Sequence, residues 1–108
     1  MTVDETSNGQ TLVVEPGEAL EICLGEIRTE GYVWSMEDCG EPQLSLEVER
    51  FYSPRHHPLG RHIWRFRATA PGISRVRLCY RHRWNDEPPR QTYELALAIR
   101  DERRVRRS

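Results

Sequence analysis

The sequence predicts an all-β chain, an antiparallel β-sandwich of about seven strands, on three observations. Apolar residues alternate with polar ones in run after run. Turn residues, chiefly Pro and Gly, separate the runs at short intervals. No stretch shows the 3.6-residue apolar period of a helix. With 108 residues, the chain has room for one such sandwich, of immunoglobulin-like size.

Thr11-Leu12-Val13-Val14 opens the pattern. Pro16-Gly17 turns it, and Leu20, Ile22 and Leu24 then share one face of a half-buried strand. The two runs are expected to pair as a hairpin or as neighbouring strands around that turn. Residues 25–31 begin and end in glycine, carry no period and read as a loop. Tyr32, Trp34 and Met36 resume the alternation, and residues 37–42 turn it again. Leu44 to Phe51 alternates strictly. Residues 52–61 contain Pro54 and Pro58, which cannot donate to a strand ladder, so they read as a long exposed loop. Trp64, Phe66 and Ala68 face away from Arg65 and Arg67. After Pro71-Gly72, Val76, Leu78 and Tyr80 point inward. Residues 81–91 form a second long loop around Trp84, Pro88 and Pro89. Tyr93, Leu95, Leu97 and Ile99 line the last strand. The domain is therefore placed at 11–100, after a flexible lead-in of residues 1–10 and before a disordered basic tail, 101–108.

The net charge of −1 conceals a segregation. Residues 1–49 hold twelve acids and one base, whereas residues 50–108 hold fifteen arginines and five acids. Strands of opposite sign can complement one another where they pair, and a dipolar surface can orient a charged partner. Arginines near Trp84 suit nucleic acid, but an overall pI of about 6.4 and the acidic half speak against it, so no nucleic-acid partner is expected. No run is long and apolar enough for a membrane-spanning helix, and no membrane partner is expected. The polar, acidic first residues are not a signal peptide, which places this chain as written in the cytoplasm, or in the periplasm or outside the cell if a leader has been removed.

Cys23, Cys39 and Cys79 are odd in number and include no CxxC pair. Their spacing around Trp34 imitates an immunoglobulin disulfide, but alternation turns Cys23 and Cys79 away from the core, so no bridge is expected. His56, His57, His62 and His82 match no common metal site and read as solvated, and no metal or cofactor is expected. Glu37-Asp38 and Asp86-Glu87 sit in turns and read as solvated acids rather than catalytic pairs. With no nucleophile beside a base, the chain does not read as an enzyme. The unusual residue is Trp84, an aromatic in a polar loop beside Arg83, which is the composition of a protein-binding hot spot.

Thr29, Gly31, Tyr32 and Trp34 after a strand ending in Leu24, then Gly60 before Trp64, then Tyr80 leading to Trp84, stand in an order and spacing that resemble the chagasin family. These are small immunoglobulin-like inhibitors of papain-like cysteine proteases. The resemblance spans about residues 11–100. It implies three binding loops at one end of the sandwich: the first entering the protease cleft, the second and third gripping its walls. On that resemblance the protease-binding residues are Arg28, Thr29, Glu30, Gly31 and Tyr32 in the first loop, Leu59 and Gly60 in the second, and His82, Arg83 and Trp84 in the third. The family pattern has Asn-Pro where Ile27 and Arg28 stand, a second Thr at Glu30, and Arg-Pro at His82-Arg83. The implied role is a monomeric, reversible protease inhibitor. The alternative is an immunoglobulin-like binding module with a non-protease partner.

Overall fold

The structure, a computed structural model, describes residues 1–55 and 59–101. His56, His57 and residues 102–108 of the expected tail lie outside the described residues. Eight strands are present among those described: β1 (Thr2–Val3), β2 (Thr11–Val14), β3 (Ala19–Glu26), β4 (Tyr32–Cys39), β5 (Leu44–Tyr52), β6 (Gly60–Ala68), β7 (Gly72–His82) and β8 (Gln91–Ile99). Glu5–Ser7 and Arg28–Glu30 form single 3-10 turns. One sheet has the order β1-β3-β6-β5 and the other β2-β8-β7-β4. The expected sandwich is present, with one strand more than expected.

The pairing is not wholly antiparallel. β1 runs parallel to β3, and β2 runs parallel to β8. β2 and β3 pair neither as the expected hairpin nor as neighbouring strands, because they lie in opposite sheets. Gly17, at φ +82°, turns the chain, and its N–H donates to Ala68 O at 2.9 Å. The crossing lets Val14 on β2 and Leu20 on β3 belong to one buried cluster from the two sheets. A hairpin would have put both on the same layer.

The lead-in of residues 1–10, expected to be flexible, is built into the fold. β1 pairs with Glu21 and Ile22. The Glu5 carboxylate accepts the Gly25 N–H at 2.7 Å, Gly9 N–H donates to Glu94 O, and the Tyr93 hydroxyl donates to Asp4 O. This segment therefore straps one sheet to the other. A two-residue strand has no detectable period, so alternation could not reveal it.

The core lies between the sheets. Leu20, Ile22 and Leu24 of β3, Trp64 and Phe66 of β6, Val76 and Leu78 of β7, and Tyr93, Leu95 and Leu97 of β8 are all buried. Each such side chain contributes roughly 1.5–3 kcal/mol by leaving water. Outside the core, the segregated charges meet across strands: Arg81 with Glu37, Arg75 with Asp38, Arg67 with Glu47. All three cysteines are free. Cys79 sits on an outer face, buried among neighbours that include Glu37, Arg77, Arg81 and Pro89.

Strict alternation fails in β5. A bulge between Leu46 and Val48 shifts the register, so that Val48 pairs with Arg65, Glu49 with Trp64 and Phe51 with His62. The bulge thereby carries Glu49 and Phe51 to the side of the sheet on which Trp64 and His62 lie.

Candidate functional site: the three-loop end

The strand register brings three connections together. β3 ends where β6 begins, with Glu26 opposite Gly60, and β4 begins where β7 ends, with Tyr32 opposite His82. Residues 27–31 therefore cross from one sheet to the other at this end. β5 and β6 pair on one side of that crossing, with Tyr52 opposite Arg61, and residues 83–90 close β7–β8 on the other.

The first loop is a 3-10 turn. Glu30 N–H donates to Ile27 O at 3.2 Å and Gly31 N–H to Arg28 O at 2.9 Å. Gly31 ends the turn at φ +85°, a left-handed conformation that costs other residues about 1–2 kcal/mol. The turn is braced from both sides. Arg28 Nε donates to Glu26 Oε2 at 2.5 Å, and its guanidinium lies 3.7 Å from the Phe51 ring centre. Glu30 pairs with Arg90 at 3.7 Å, and the same arginine covers Tyr32, 4.3 Å from the ring centre. Thr29 stands exposed at the apex between the braces. Below, Tyr32 stacks on Tyr80, whose hydroxyl accepts the Ile27 N–H at 2.9 Å.

The third loop is tied to the first. Arg83 N–H donates to Gly31 O at 2.8 Å. The His82 ring meets Tyr32 edge-on, with centres 5.2 Å apart, and its Nδ1 accepts the Trp84 N–H at 3.2 Å. Trp84 itself is 74% exposed. It does not fold back onto the sandwich, and the Arg83 guanidinium lies 5.5 Å from its ring centre. In the second loop, Gly60 is buried beneath the Phe51 ring, and a Cβ there would sit 2.4 Å from that ring. Leu59 is exposed and lies against Gly25.

All ten residues assigned to the site from the sequence thus lie at this end, in different roles. Thr29, Arg83 and Trp84 are exposed; Arg28 and Glu30 are exposed but engaged by partners of their own; Gly31 and Gly60 shape the backbone. Expectations need correction at Glu37-Asp38, which lie within β4 rather than in a turn, and at Glu26 and His62. Glu26, read as part of a loop, is the last residue of β3 and is fully buried. His62, read as solvated, is buried with it: Nδ1 lies 3.0 Å from Glu26 Oε1, Nε2 lies 2.8 Å from Glu49 Oε2, and the ring stacks on Trp64 at 4.0 Å. Burial pushes the Glu26 carboxyl up, but hydrogen bonds from His62, the Trp34 N–H and Arg28 outweigh it and hold the pKa below the usual value. The signal was present, since Leu20, Ile22, Leu24 and Glu26 share one parity. Arg90, the brace on Glu30 and Tyr32, left no sequence signal, because it acts across space. Among the described residues, no group of three or more His, Cys, Asp or Glu could hold a metal ion.

Comparison with known proteins bears on this end of the molecule. The family model for the chagasin family peptidase inhibitor I42 matches residues 13–97. The cysteine protease inhibitor EhICP2 of Entamoeba histolytica superposes with a TM-score of 0.82 at 19% identity, over 92% of this chain and 94% of that one. Amebosin superposes with a TM-score of 0.76 at 26% identity, over 93% and 97%. PbICP-C, in its complex with falcipain-2, superposes with a TM-score of 0.69 at 12% identity, over 92% and 98%. No curated protein sequence gives a significant match.

Proposed function

Since the chain belongs to the chagasin family of peptidase inhibitors, we propose that it is a reversible inhibitor of papain-like cysteine proteases, acting through the three loops at one end of its sandwich. The observation that carries this reading is the geometry of that end. An exposed Thr29 apex, braced on both sides, stands beside an exposed Trp84 whose loop is tied to it through Gly31 and His82. The structural relative PbICP-C forms a complex with the protease falcipain-2.

The physical logic is that of a wedge. Loop stems fixed by two sheets lose little conformational entropy on docking. A 3-10 turn at the apex presents a compact knob rather than an extended peptide, so a protease nucleophile meets no bond laid out for attack. Trp84 supplies rigid apolar area of the sort that dominates interface energies. The role is occupation of a cleft and not turnover of a substrate.

Titration of papain with the purified protein tests the reading. Inhibition at or below micromolar concentration is expected. Trp84→Ala should weaken it by about 2 kcal/mol, close to 30-fold. The melting temperature should stay nearly unchanged, because the side chain is exposed. Absence of inhibition by the wild-type chain would refute the proposal and favour a non-protease partner.

A further inference from the structure

The carboxylate of Glu26 has three partners from three parts of the chain. Oε1 accepts the Trp34 N–H at 2.6 Å and faces His62 Nδ1 at 3.0 Å, while Oε2 accepts Arg28 Nε at 2.5 Å. It therefore joins β3, the root of β4 in the other sheet, β6, and the first loop. Isolated burial of a carboxylate is costly, and it is tolerated only when the partners are well placed.

Among the described residues, Arg28 is the side chain of the first loop that this buried group holds. Its Nε is held by Glu26 and its guanidinium lies over Phe51. Arg28 Nε is committed to a fully buried carboxylate, so releasing it would leave a Glu26 oxygen short of a hydrogen-bond donor. We infer that Glu26 is the positioning residue of the first loop: it holds Arg28, and Arg28 in turn fixes the turn that carries Thr29.

The inference rests on the inhibitor reading, and a double-mutant cycle separates the two. Papain inhibition is measured for the wild type, Glu26→Gln, Arg28→Ala and the double variant. Each single change should weaken inhibition about 10-fold or more, the scale of a lost charge-assisted hydrogen bond. The double variant should be little worse than the weaker single one. Losses that multiply in the double variant would show Arg28 acting on the protease independently of Glu26 and overturn the inference. So would single variants that inhibit like the wild type. Should Glu26→Gln fail to fold, Phe51→Leu replaces it in the cycle, since Phe51 holds the same guanidinium.

If the wild-type chain does not inhibit papain, the inhibitor reading fails alone. The positioning role is then read in the free protein by NMR. The Arg28 Nε–H should exchange slowly with water in the wild type and quickly in Glu26→Gln. An Nε–H signal unchanged by Glu26→Gln would overturn the inference without reference to any protease.

Discussion

Replacing Gly31 with alanine separates two effects that the structure keeps distinct. Gly31 has φ +85°, and Gly17, at the opposite end of the molecule, has φ +82°. The backbone cost of alanine at either position is about 1–2 kcal/mol. For a domain of this size, that lowers the melting temperature by roughly 4–8 °C per kcal/mol. The surroundings differ. A Cβ on Gly17 would meet nothing within 4 Å, whereas one on Gly31 would lie 2.8 Å from His82 Nε2 and 3.1 Å from the Trp84 ring. Gly31→Ala must therefore displace His82, and with it the acceptor of the Trp84 N–H. Overpacking of this kind adds about 1–3 kcal/mol. The assay pairs thermal melts with papain titration. Gly17→Ala should melt early and inhibit normally. Gly31→Ala should melt earlier still and lose inhibition about 30-fold, the cost of misplacing a hot-spot residue. Equal inhibition by the two variants would refute the coupling of the first and third loops through Gly31.

Two further outcomes are expected. The Glu26 pKa is held below the ordinary glutamate value of 4.5 in the folded state. The stability it contributes is present above that pH and is lost as pH falls through the lower, folded value. Denaturant midpoints of the wild type should drop more steeply below about pH 4.5 than those of Glu26→Gln, and parallel curves would refute this. Alkylation of the native protein should modify the half-buried Cys23 and Cys39 and spare the buried Cys79 until denaturant is added. An intact-mass measurement two hydrogens light, signalling a disulfide, would contradict the free thiols.

Most of the core was legible because a strand buried on one side writes its environment in a period of two. Leu20, Ile22 and Leu24, or Tyr93, Leu95 and Leu97, needed no tertiary information. Two places departed from the expected pattern. At Glu26 a charged residue after Gly25 suggested a loop, although its parity placed it inward. In β5 the bulge between Leu46 and Val48 broke a pattern that looked strict, because a bulge is set by pairing with β6 and leaves no mark on the strand's own alternation. The candidate site was legible as loop positions. What those residues do was not, since Arg28 and Glu30 look alike as exposed charges and differ only in what they touch.

By itself, the sequence determined that this chain is a small all-β sandwich whose turn-rich segments include three loops of a recognisable order. Alternation, turn residues and spacing are local properties, and local properties can be read along a line. Tertiary structure decided that β2 and β3 part into different sheets, that the N-terminal residues strap them together, and that three distant loops meet at one end. It also decided that Glu26 and His62 are buried beneath the first loop, Arg28 resting on Glu26. Those outcomes depend on strand register and on which face meets which across the core, and no single segment carries that information.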